Sequence, residues 1–86
     1  MKFKIVLKKG VSKDLKKLDK IDRIRIYKTL EKLEDPFSLD IRKLRGLEDT
    51  YAVRIGDFRI IFKIYFDRKV IFVTRIDKRG RVYDRI

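Results

Sequence analysis

Between Tyr51 and Phe66 the chain alternates with a period of two: Tyr51, Val53 and Ile55, then Phe58, Ile60, Phe62, Ile64 and Phe66, set against Ala52, Arg54, Arg59, Ile61, Lys63 and Tyr65. Successive side chains of an extended strand point to opposite faces, so the pattern predicts two strands with one buried side. Gly56-Asp57 sits between the two series and reads as a two-residue hairpin turn. Counting outward from it pairs Ile55 with Phe58, Arg54 with Arg59, Val53 with Ile60 and Tyr51 with Phe62, which puts every apolar partner on one face. The same count sets Arg54 directly opposite Arg59 on the other face. Like charges so placed repel, which implies either an anion between them or solvated side chains with carboxylates nearby.

The remaining elements follow from local signals. Phe3 to Leu7 reads as an opening strand that ends at Gly10, with Ser12 as the cap of a first helix. Val11, Leu15 and Leu18 recur at helical spacing, and after Asp19 a second series of Ile21, Ile24, Tyr27, Leu30 and Leu33 predicts a second helix, with Tyr27 in the packing. Asp35-Pro36 ends it, because the residue before proline is pushed out of helical geometry. A loop through Ser38 and Asp40 follows. Beyond the hairpin, a turn at Asp67-Arg68 leads into a strand from Val70 to Ile76, and a last short β segment is expected around Val82-Tyr83. The predicted class is α+β: an N-terminal strand and a helical hairpin packed on a largely antiparallel sheet.

Eighty-six residues, 44% apolar and 44% charged, allow one modest core under an ionic surface, so residues 1–86 are expected to form a single domain. Twenty-five Lys and Arg against 13 Asp and Glu give a net charge of +12, a field that attracts polyanions. Nucleic acid, an acidic protein or both are the natural partners. No apolar run reaches the roughly 20 residues of a membrane-spanning helix, and no signal-peptide pattern opens the chain, so a cytoplasmic protein with no membrane partner is expected. Cysteine and histidine are absent, which excludes disulfides and thiol nucleophiles and removes the usual base and the commonest metal ligand. Glu31, Glu34 and Asp35 read as helix-surface charges, and no metal or other cofactor is predicted. The Lys-rich first helix, with Lys13, Lys16, Lys17 and Lys20, reads as a solvated face.

The C-terminal stretch from Arg75 to Arg85 adds Lys78, Arg79 and Arg81 beside Tyr83. Guanidinium groups bind phosphate bidentately and an aromatic ring stacks on a base, so this mixture suits RNA. Lys43-Leu44-Arg45-Gly46 extends the basic set, and Lys43 and Arg45 join Arg75, Lys78 and Arg81 as candidate RNA-binding residues. The ordered set of Lys-Leu-Arg-Gly, then Tyr51, Arg54, Gly56, Arg59, the strand Ile60 to Ile64, and Lys78-Arg79 resembles the RelE/ParE toxin superfamily, and within it the RelE branch.

What this resemblance implies is a RelE-like fold and a toxin that enters the ribosomal A site and cuts messenger RNA there, restrained by a cognate antitoxin that wraps it. The family's chemistry is attack of a ribose 2'-hydroxyl on the adjacent phosphate, without a metal. Arg54, Arg59, Arg79 and Tyr83 match the family's catalytic positions: Arg59 and Arg79 for the charged transition state, Tyr83 for stacking or proton transfer. Position 52 departs from the pattern. Family members with a lysine there use it in proton transfer, and Ala52 cannot, which leaves Lys43, Tyr83 or a water as the base. Two other classes fit the same features: a ParE-like toxin that poisons a topoisomerase without cutting RNA, and a non-catalytic RNA-binding or ribosome-associated module. Asn, Gln and Trp are absent as well, a balance that fits selection for heat stability. A melting temperature above the ordinary mesophile range of about 45–65 °C is therefore expected by calorimetry; one within it overturns that expectation.

Overall fold

Two helices lie against one face of a five-stranded sheet in the computed structural model, which describes residues 2–78. In chain order the elements are β1 (Lys4–Leu7), α1 (Lys9–Lys16), α2 (Lys20–Lys32), a 3-10 turn (Pro36–Ser38), β2 (Ile41–Lys43), β3 (Thr50–Ile55), β4 (Phe58–Tyr65) and β5 (Val70–Lys78). The strands are ordered β1-β5-β4-β3-β2, with β1 parallel to β5 and every other pair antiparallel. The α+β architecture expected from the sequence is the one observed.

The β3–β4 register is the one counted from the turn: Ile55 faces Phe58, Arg54 faces Arg59, Val53 faces Ile60 and Tyr51 faces Phe62. Gly56 carries a positive φ of 56° and Asp57 does not, the sign pattern of a type II′ turn, whose first central place favours glycine. Val53, Phe58, Ile60, Phe62 and Ile64 enter one core with Val11, Leu15, Ile26, Leu30, Leu33, Ile71 and Val73. The core thus lies between the sheet and the helices.

Strand β5 contains a bulge. Ile61 pairs with Arg75 and Phe62 with Val73, so Thr74 is an extra residue, and its hydroxyl donates to the Ile61 carbonyl at 3.2 Å. An extra residue reverses the alternation beyond it. Ile71 and Val73 therefore face the core before the bulge and Ile76 after it, while Arg75 and Asp77 turn to the face away from the helices.

Four local expectations are corrected. Ser12 does not cap α1, and Gly10 does not end the strand: the helix starts at Lys9, and both residues lie within it. The Lys8 N–H still donates to Val73 O at 2.9 Å, so Lys8 remains extended and the helix begins at once, which carries Val11 and Leu15 into the core. Burial outweighs a surface cap here. On α2 the buried residues are Ile26 and Leu30, followed by Leu33, whereas Ile21, Ile24 and Tyr27 are exposed. A step of three residues turns a helix by about 300°, so an unbroken i, i+3 series drifts about 60° per step and cannot keep one face; Ile26, Leu30 and Leu33 fall within an arc of about 60°. Strand β2 occupies part of what reads as a loop after Asp40. Its three residues are too few to show alternation. Finally, β4 ends at Tyr65, and Phe66 leaves the sheet to stack on Phe37 at 6.1 Å and meet Phe3 edge-on at 6.2 Å. The expected β segment around Val82-Tyr83 lies outside the described residues.

The turn supplies the test of the register. Gly56→Ala puts a Cβ at positive φ and within 3.3 Å of Arg25 Nη1, and is expected to cost about 1–2 kcal/mol. Denaturant titration should show the midpoint fall with an unchanged slope; an unchanged midpoint would show that the turn does not hold the hairpin.

Candidate functional site

The sheet face opposite the helices is built from the alternate residues of the same strands. Across it run two ladder rows. Arg42, Ala52, Ile61 and Arg75 form the first, from β2 to β5, and Arg54, Arg59 and Asp77 form the second. Ala52 and Ile61 are buried although no described helix covers this face. Their ladder neighbours are Arg42 and Arg75, long side chains whose aliphatic stems can lie over apolar surface while the charged ends stay wet.

Asp40, Arg42, Leu44, Ala52, Arg54 and Arg59 line a cavity of about 230 Å³. This is below the roughly 300–1,000 Å³ of a drug-sized ligand pocket, and fits a phosphodiester segment better than a whole cofactor. Ala52 is small and buried, which leaves the floor open beneath three guanidinium groups. Arginine has donors only, so on this wall Asp40 is the group that can accept a proton.

The facing arginines are held differently. Arg59 Nη2 lies 3.4 Å from Asp77 Oδ2, and Arg75 Nε donates to Asp77 Oδ1 at 2.7 Å. Arg59 Nε is buried and meets no acceptor among the described residues. Arg54 is exposed and has no ion-pair partner among them. The nearby carboxylate foreseen for the pair thus serves Arg59 and not Arg54. The Arg59–Asp77 contact, with the arginine side chain 43% exposed, is worth only about 0–1 kcal/mol to stability.

The other sequence-derived candidates are spread over several places. Lys43 and Arg45 line an open depression of about 470 Å³ with Leu44, Gly46, Leu47 and Glu48, separated from the arginine cavity by Leu44, which lines both. Lys78 pairs with Phe58 on the core side and sits 5.9 Å over its ring, so it is not brought to Arg54 and Arg59. Arg75 joins them through Asp77. Arg79, Arg81 and Tyr83 lie outside the described residues. Arg42, Asp40 and Asp77 join this face without being among the sequence-derived candidates. Arg42 and Asp40 flank or belong to the unread β2, and Asp77 reaches this face only because of the bulge. The Arg-Lys-Leu-Arg run was the one signal for Arg42. Glu31, Glu34 and Asp35 are exposed helix-end charges, Glu34 pairing with Lys2 at 3.8 Å. No described helix is long and apolar enough to cross a membrane.

The sequence and the fold have counterparts among known proteins. The profile of the family described as ParE toxin of type II toxin-antitoxin system, parDE, matches residues 5–83. A Methanocaldococcus jannaschii protein provisionally named toxin RelE1 is 33% identical over 96% of this chain and 97% of its own length. The mRNA interferase toxin RelE of Escherichia coli (strain K12) is 32% identical over 80% of this chain and 75% of its own. Among solved structures, the archaeal RelE-RelB complex from Pyrococcus horikoshii OT3 superposes with a TM-score of 0.81 at 32% identity, over 94% of this chain and 99% of that one. With the family profile matched along most of its length and RelE toxins as relatives over nearly all of it, this chain belongs to the RelE/ParE superfamily of toxins of type II toxin-antitoxin systems.

Proposed function

We propose that this chain is a ribosome-dependent endoribonuclease that cuts messenger RNA in the A site and is restrained by a cognate antitoxin. The observation that carries the reading is the gathering of Arg42, Arg54 and Arg59 around the buried Ala52, on the face that no described helix covers. Three cations gathered at one small cavity suit a phosphodiester whose negative charge grows in the transition state. The ribose 2'-oxygen attacks the adjacent phosphorus, the bond from phosphorus to the 5'-oxygen breaks, and the products are a 2',3'-cyclic phosphate and a 5'-hydroxyl. The 2'-hydroxyl proton goes to a base and the leaving 5'-oxygen takes one up, so no water or oxidant is consumed. Asp40 is positioned on the cavity wall to take the first proton. The guanidinium groups supply the charge that a metal would supply elsewhere, and the reading is metal-independent. Arg79 and Tyr83, on the same reading, act from the C-terminal segment.

The antitoxin brings acidic charge to a chain of net charge +12 and covers apolar surface such as Ile21, Ile24 and Tyr27 on α2. The P. horikoshii relative, solved as a RelE-RelB complex, supports a partner of this kind. The family profile's ParE description favours a second reading, a topoisomerase poison without ribonuclease activity. Under it the arginine cavity has no task.

Primer-extension mapping of messages from a translation reaction decides between them. Codon-phased cuts are expected with the unaltered protein, weakened about 100-fold or more by Arg59→Ala or Arg54→Ala and by a similar factor by Asp40→Asn. Intact messages and continuing translation would sink the ribonuclease reading and favour the topoisomerase one.

A further inference from the structure

Asp77 is an acid placed on the cationic face that the proposed function assigns to RNA, where its charge works against polyanion binding. The ladder row gives it a task. Arg59 lies between Arg54 on β3 and Asp77 on β5, so repulsion from one neighbour and attraction to the other act along the same line. Arg59 also has its Nε buried, so the rest of the face reaches the guanidinium only through its Nη groups. Among the described residues Asp77 is the carboxylate that meets those groups.

The two contacts of Asp77 differ in a way that matters. Its Oδ1 accepts from Arg75 Nε at 2.7 Å, a short charge-assisted bond, while Oδ2 stands 3.4 Å from Arg59 Nη2. Asp77 is itself only 19% exposed, whereas Arg75 is 69% exposed. The carboxylate is therefore fixed by Arg75 and holds Arg59 loosely. Such a hold sets a direction for the guanidinium without competing strongly for it, because a partly exposed ion pair at that distance is weak. Asp77 does not line the arginine cavity and Arg59 does, so the carboxylate holds Arg59 from outside.

We infer that Asp77 is a positioning residue for Arg59, anchored by Arg75, and that it keeps the Arg59 guanidinium directed at the phosphate in the cavity. The kinetic part of this inference rests on the ribonuclease reading; the orientation of Arg59 does not.

Asp77→Asn keeps the shape and removes the charge, and it separates positioning from general electrostatics. RNA binding should tighten by about twofold to threefold as one negative charge leaves the face. The cleavage rate at saturating RNA should nevertheless fall about tenfold, because a misdirected cation stabilises the transition state less. Asp77→Glu should recover part of the rate. A rate that is unchanged in Asp77→Asn, or that rises with affinity, overturns the inference and makes Asp77 a brake or a bystander. An independent readout is the Arg59 Nε–H signal in ¹⁵N-labelled protein. Its hydrogen exchange should quicken about threefold to fivefold in Asp77→Asn if that contact is lost, and an unchanged signal overturns the inference as well. Should the unaltered protein leave RNA intact, the ribonuclease reading falls by itself, and the Arg59 signal still decides whether Asp77 holds the side chain.

Discussion

The β3–β4 register governs both sides of the molecule at once. Because side chains alternate across a sheet, a slip of one residue would turn one strand over against the other, sending either Val53 out of the core and Arg54 into it, or Ile60 and Phe62 out and Arg59 in. The core and the arginine cavity are therefore two consequences of a single pairing. The turn at Gly56-Asp57 sets that pairing, and the apolar face holds it, since the burial of five hairpin residues with both helices outweighs the repulsion between Arg54 and Arg59. An unfavourable contact between charges is tolerated on the open face because its loss would cost the closed one.

Strand β5 adds a second constraint of the same kind. A regular β5 cannot place Val73 and Ile76 on one side, as they are three residues apart; the extra residue at Thr74 does so. The same irregularity puts Arg75 and Asp77 beside Ile61 and Arg59. Packing at the end of the strand and the ionic row on the opposite face thus share one cause, and the Thr74 hydroxyl on the Ile61 carbonyl ties down the distorted ladder. Bulges commonly re-aim side chains next to functional sites, and this one brings a carboxylate beside Arg59 and Arg75.

How much of this could be read in advance depended on the length of each pattern. Sixteen residues of alternation with a glycine turn are self-consistent in only one register, so Arg54 could be set opposite Arg59 from the sequence. The stripe on α2 held only for Leu30 and Leu33, because Ile21, Ile24 and Tyr27 continue the i, i+3 series by chance of spacing, while Ile26, outside that series, is the residue buried with those two leucines. Nothing in a three-residue strand announces itself, so Arg42 was hidden with β2. Asp77 was hidden by the bulge, since counting by twos from Ile71 assigns it to the core side, where a charge would be discarded as an error. Each miss comes from a tertiary requirement overriding a local signal: the reach of a helix to the core, the pairing of a short edge strand, the parity of a distorted one.

The arginine face also bears on stability. Confining Arg42, Arg54, Arg59 and Arg75 to one side of a small sheet in a chain of net charge +12 raises the energy of the folded state, because the unfolded chain can spread the same charges apart. Asp77 relieves part of this at Arg59 and Arg75 and none of it at Arg54. A polyanion or an acidic protein laid on the face relieves the rest, and anything that binds the folded state alone stabilises it by mass action. Binding energy and folding energy are then linked at the same four side chains. The repulsion that would favour a phosphate or an acidic protein on this face is the same repulsion that lowers the stability of the chain alone.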